Sequence, residues 1–166
     1  MATDLVPKQQ LLDGMQASMG EFLEAARSLP AERWSEGRYE EGWTARDILA
    51  HVASIEWTYP RILVLADQGP QETPTPEPKK GFRGGVGSYN QRQVEKRADA
   101  TVEELIEEFE RNRAATIAAV TEADEDLLRE RVRSAGGIEG TAAEVLNYLT
   151  VIHLRGHLDD IRRGEP

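Results

Sequence analysis

Apolar positions recur at helical spacing in four stretches of the chain, and no stretch alternates convincingly as a strand. In the first, 8–28, Leu12, Met15, Met19, Phe22, Leu23 and Ala26 form one stripe, and Pro30 closes the helix. The second, 45–68, has the clearest start. Thr44 is a good N-cap, Asp47 follows three residues later as in a capping box, and Trp43 and Ile48 stand at staple positions. Pro60 removes a backbone donor and crowds the preceding turn, so it should kink or split this helix. The third region begins with a helical entry at 89–97. Thr101 then caps a longer helix to about Thr121, with Glu104 completing a capping box. Leu105, Ile106, Phe109, Thr116, Ile117 and Val120 mark its buried face. A short extra helix is predicted within 124–132 and a turn at 134–140. The fourth helix starts at Thr141 with Glu144 as its box partner. It runs to about Arg163, where Arg162 and Arg163 suit the C-terminal dipole.

Between the second and third helices lies QGPQETPTPEPKKGFRGGVGS, 68–88, rich in Pro and Gly and without periodicity. A loop this long is either a functional cover or a disordered segment. Its Lys79, Lys80 and Arg83 are a weak anion-attracting cluster. Four amphipathic helices with one long crossover predict an all-α four-helix bundle, organised as a single domain over 1–166.

Composition narrows the function. A hydrophobic share of 39% and a charged share of 30% exclude collagen-like and largely disordered classes. Thirty acidic residues against twenty basic ones give a net charge of -10, the wrong sign for a protein that coats phosphates, so no nucleic-acid partner is expected. No apolar run approaches the roughly 18 residues of a membrane span. The N-terminus MATDLVPKQQ lacks a secretory layout, so a soluble cytoplasmic protein with no membrane partner is expected. The chain has no Cys, hence no disulfide, no thiol nucleophile and no Cys-ligated zinc of its own. It contains no GxSxG and no Walker loop, and GFRGGVG at 81–87 does not fit the dinucleotide fingerprint.

The chemistry falls to three histidines. His153 and His157, in HLRGH, are four residues apart and share one helix face, the way a single helix supplies two ligands to one metal. Ala142, Leu146 and Leu149 fall on the same face. His51 sits on the second helix in a stripe with Ile48, Ile55, Ile62 and Leu65. A lone inward His is ordinarily a hydrogen-bonded core residue. Three on two facing helices favour a metal instead. Three neutral nitrogen ligands with an open fourth position are the catalytic zinc pattern, and imidazole also suits nickel and iron.

Asp160, three residues after His157, lies on the same face. It could orient a ligand, act as a base or close the coordination shell; the plain alternative is a solvated carboxylate. Glu56 points away from the histidine face and is assigned no chemistry. Gly156 would allow close approach of a helix or a substrate. Tyr89 and Asn90 either line a pocket mouth or form a turn-and-cap device.

WTARDILAHVASIEW, 43–57, resembles the second-helix signature of the DinB-like superfamily, which includes the mycothiol-dependent maleylpyruvate isomerase N-terminal domain. HLRGHLDDI, 153–161, resembles the closing helix of that family, and SYNQRQVEKRADATVEELIEEFE, 88–110, its third-helix region. The resemblance covers nearly the whole chain. It implies a bundle of up-down-down-up character and a divalent metal, commonly zinc or nickel, held by His51, His153 and His157. It also implies a homodimer, and thiol-dependent isomerases and transferases as relatives. Some relatives have Glu where this chain has His153. The isomerase carries a further C-terminal domain without counterpart in these 166 residues, so maleylpyruvate itself is not the expected substrate.

The expected function is therefore that of a divalent-metal-dependent enzyme acting on a small molecule. It would be a thiol-dependent transferase or isomerase, with a low-molecular-weight thiol supplied from outside, or else a hydrolase. The rival is a non-catalytic protein of the same fold that binds or sequesters a metal or a small molecule. Four protein ligands on the metal would favour that rival; three and an open position would favour catalysis.

Overall fold

The computed structural model describes residues 6–36, 43–69 and 85–163. Helix α1, Lys8–Ser28, follows Pro7 and is succeeded by a short 3-10 turn at Ala31–Ser35. Helix α2, Ala45–Glu56, begins with the expected capping box: the Thr44 side chain accepts from the Asp47 N–H and the Asp47 carboxylate accepts from the Thr44 N–H. Trp43 and Ile48 are both buried in one cluster. Pro60 splits the stretch as its chemistry requires, and α3, Arg61–Asp67, starts immediately after it. Helix α4, Gly85–Lys96, starts earlier than the sequence suggested and takes in the last residues of the Pro/Gly-rich stretch, 85–88. Tyr89 and Asn90 therefore lie inside a helix and not in a turn-and-cap device. The remaining loop question, with Lys79, Lys80 and Arg83, lies outside the described residues.

Helix α5, Val102–Glu122, is capped by Thr101, whose side chain accepts from the Glu104 N–H. Only that half of the expected capping box is made. Helix α6, Glu125–Leu128, is a single turn capped by Asp124. The expected turn at 134–140 joins two short strands that the sequence reading did not find, β1 at Arg131–Arg133 and β2 at Glu139–Thr141, paired antiparallel with Val132 opposite Gly140. Gly137 has φ 87°, which a side chain would resist. The last helix starts with a complete Thr141/Glu144 capping box. It runs as α7, Ala142–Asn147, then a π-turn at Tyr148–Ile152, then α8, His153–Arg163.

Side-chain bonds fix the direction of each helix. Lys8 of α1 donates to the carbonyls of Thr121 and Ala123 at the far end of α5, while Arg27 pairs with Glu110, so these two helices are antiparallel. Ser18 and Glu21 of α1 meet Thr150 and Arg155 in turn, so α1 is parallel to the last helix. Arg46 of α2 donates to the carbonyls of Arg97 and Ala100 just ahead of α5, and further along Ala53 accepts from Asn112. Thus α2 and α5 run the same way although they are consecutive long helices. The result is the up-down-down-up four-helix bundle.

Two apolar clusters fill the interior. One gathers Phe22, Trp34, Trp43, Ile48, Phe109 and Leu158; the other gathers Leu11, Met15, Tyr59, Ile62, Val120 and Leu146. Where they meet lies a fully buried ion pair. Arg113 is 0% exposed and Glu56 1%. The guanidinium grips the carboxylate with two bonds, Nε to Oε2 at 2.9 Å and Nη2 to Oε1 at 3.0 Å. Removing either partner alone would strand a buried charge, at a cost of about 3–5 kcal/mol.

Candidate metal centre

The π-turn determines where the last helix presents its histidines. In an unbroken α-helix, Ala142, Leu146, Leu149, His153 and His157 would share one face. A π-turn adds one residue to the local ladder and so shifts the phase of everything after it by about 100°. The core-facing line therefore runs through Ala142, Leu146, Thr150, Leu154 and Leu158, all buried. His153 and His157 are moved to the edge of that line and are half-buried.

His51 meets them there from α2, itself 4% exposed. One ligand nitrogen from each of His51, His153 and His157 lies within 4.8 Å of the other two, and the three form a potential cation-binding group among the described residues. The rings are close: the centroids of His51 and His157 are 5.0 Å apart and those of His153 and His157 4.5 Å, both edge-on. The Trp43 ring lies against His51, tilted by 40° with centroids 5.2 Å apart, and its indole N–H donates to Gln91 of α4 at 2.8 Å. Tyr148 flanks His153 at 5.9 Å. An aromatic row thus runs from Trp43 through the three imidazoles to Tyr148.

Electrostatics hold these rings neutral. Burial, and then the neighbouring His157 and His153, lower the pKa of His51 to about 3. Burial, then His153, lowers that of His157 to about 4. Burial lowers that of His153 as well. Neutral imidazole is the form that binds a metal, and the folded chain holds the three rings in that form at pH 7.

Two observations are compatible with a cation at this donor set. The Nδ1 atom of His51 is buried and has no hydrogen-bond partner, which costs about 1–3 kcal/mol for a group left dry. The Nε2 atoms of His153 and His157 face each other at 2.9 Å. Two lone pairs at that distance repel unless a proton or a cation lies between them. Tetrahedral bonds of 2.0–2.1 Å place ligand nitrogens about 3.3 Å apart, so this pair would open by only a few tenths of an ångström around an ion.

Asp160 is half-buried and stands outside the converging group. With Gly156, Asp159 and Arg162 it lines an open groove of about 550 Å³ on α8. Among the described residues, no atom of another element lies within 4 Å of where a Cβ on Gly156 would sit, so none of them packs closely against this glycine.

A family profile described as the mycothiol maleylpyruvate isomerase N-terminal domain matches residues 15–153. The chain belongs to this family. No curated protein matches by sequence. Among solved structures, the mycothiol-dependent maleylpyruvate isomerase superposes with a TM-score of 0.74 at 21% identity, covering 97% of this chain and 63% of the isomerase. The chain thus spans less than two thirds of that relative. YfiT from Bacillus subtilis, described as a probable metal-dependent hydrolase of unusual four-helix bundle topology, gives 0.67 at 15% identity over 99% of this chain and 90% of its own. The colibactin self-resistance protein ClbS, solved with double-stranded DNA, gives 0.67 at 13% identity over 97% and 96%. These likenesses establish the DinB-like fold for this member of the isomerase N-terminal domain family.

Sequence reasoning did not single out Arg113, nor the partner it gives Glu56. The available signal was a cation on an apolar stripe, since Arg113 stands four residues after Phe109 and three before Thr116, both fully buried. Glu56, expected to point away from the histidines, does so, toward α5.

Proposed function

We propose that the protein is a divalent-metal-dependent enzyme acting on a small molecule, with the metal, zinc or nickel, held by His51, His153 and His157. The observation that carries this reading is the convergence of three neutral imidazoles, one with an orphaned buried nitrogen, at the edge of a bundle and not at its centre. An ion with three protein ligands supplies Lewis acidity at its open position and favours the deprotonated form of water or a thiol there.

The chain's own residues do the rest. Trp43 and the apolar neighbours of His51 exclude water from one side of the site. We assign the proton-accepting role to Asp160, one turn beyond His157 on the groove. Family membership supports transfer or isomerisation with a low-molecular-weight thiol, which must be external because the chain has no Cys. Hydrolysis is the second reading, favoured by the fold shared with YfiT. A net charge of -10 supports a small molecule over nucleic acid as the partner, although one structural neighbour binds DNA.

Elemental analysis of untagged protein, followed by calorimetry with small thiols, tests the reading. One metal ion per chain, lost in His153→Ala with helix content retained, is the expected result. Equally tight metal binding by His153→Ala would refute the ligand assignment.

A further inference from the structure

The buried ion pair reaches every long segment of the bundle. Arg113 of α5 binds Glu56 of α2. Its Nη1 donates to the Met15 carbonyl at 2.8 Å and the Ser18 hydroxyl at 3.1 Å, both on α1. Its Nη2 also donates to the Thr150 carbonyl at 3.0 Å, in the π-turn. Ser18 donates to that same carbonyl at 2.9 Å. Within the turn, the His153 N–H reaches back to the Tyr148 carbonyl. Thr150 Oγ1 donates to the Leu146 carbonyl at 2.6 Å. The Thr150 carbonyl therefore takes two donors from other helices at the place where the last helix is widest.

From this geometry we infer that Arg113, held by Glu56, is a positioning residue for the three-histidine centre. It pins the π-turn open and so fixes the phase in which α8 presents His153 and His157 to His51. The inference rests on the three imidazoles being the metal ligands. Glu56 lies five residues after His51 on α2, and Thr150 three residues before His153. One guanidinium thus ties together the two segments whose relative rotation decides whether the nitrogens meet. Without these donors the turn can relax to plain α-helix, which rotates the two rings by about 100° relative to α7.

The test uses Co²⁺ as the metal probe, because its visible d–d bands report coordination geometry without any assay of turnover. The Glu56→Leu/Arg113→Met pair variant replaces the ion pair with apolar side chains, an exchange that buried pairs often tolerate. With helix content equal to that of the parent, its Co²⁺ affinity should fall by about tenfold or more, the scale typical of lost outer support around a metal site. Its d–d spectrum should change in shape as well. Parent-like affinity and spectrum in the folded pair variant would overturn the inference. Should the pair variant fail to fold, Arg113→Lys decides: it keeps the charge beside Glu56 but cannot reach α1 and the π-turn together, and an unchanged spectrum would again overturn the proposal. A parent protein that binds no Co²⁺ would instead refute the metal reading itself.

Discussion

The metal-free protein should lose much of its stability between pH 7 and pH 5. An unfolded histidine titrates near 6.5, whereas folding holds His51 at about 3 and His157 at about 4. Below pH 6.5 the unfolded chain takes up protons that the folded chain refuses, so acid favours unfolding. The stabilisation is complete above 6.5 and is lost as pH falls toward the folded values. One pKa unit corresponds to about 1.4 kcal/mol, so at pH 5 His51 alone accounts for a loss of about 2 kcal/mol. His157 adds somewhat less, being partly reached by solvent, and His153 shifts the balance in the same direction. A total of about 4 kcal/mol is a large share of the 5–15 kcal/mol of a typical domain. Most carboxylates titrate below this window, which isolates the histidines. Urea unfolding in EDTA at pH 7, 6 and 5, followed by far-ultraviolet circular dichroism, measures the effect. His51→Leu should flatten the slope by about half. Equal stability of the parent at pH 7 and pH 5 would refute the claim that folding buries these rings in neutral form. If these imidazoles are the ligands, their neutrality in the folded state means that metal retention should persist below pH 6.5 and fail only as pH approaches 4–5.

Other expectations are simpler to measure. Gly156→Ala adds a methyl that meets no other element among the described residues and should raise the unfolding free energy by about 0.5–1 kcal/mol in thermal or urea melts, while narrowing the groove beside Asp160. Asp160→Asn should leave the metal content intact and lower turnover once a substrate is found; loss of the metal would instead make Asp160 a ligand. Thr141→Ala removes a complete capping box and should cost about 1 kcal/mol in the same melts.

The parts of the fold legible in the sequence are those where a local rule meets no competitor. Thr44 with Asp47 and Thr141 with Glu144 cap helices as their spacing requires, and Pro60 divides α2 from α3. The HxxxH spacing placed two imidazoles together, and the apolar stripe around His51 turned the third toward them. The hairpin escaped because each strand is three residues long and β1 has only Val132 facing inward, too little for alternation to register. The π-turn is invisible for a different reason. Leu146 and Leu149 are both apolar, so the sequence fits a straight helix as well as a shifted one, and only packing against Ser18 and Arg113 selects between them. The ion pair was missed because Glu and Arg are ordinarily surface residues, and their burial depends on finding each other across two helices.

The closeness of Trp43 to His51 has a practical consequence. Of the three tryptophans, Trp34 is buried in the same cluster as Trp43, Trp57 is 70% exposed, and Trp43 makes a tilted ring contact with one of the three imidazoles. An open-shell ion arriving at those imidazoles would quench its emission by contact-range energy transfer, whereas closed-shell zinc would leave it bright. The fold thus carries its own optical gauge of occupancy by an open-shell ion, readable by fluorescence without dye or label.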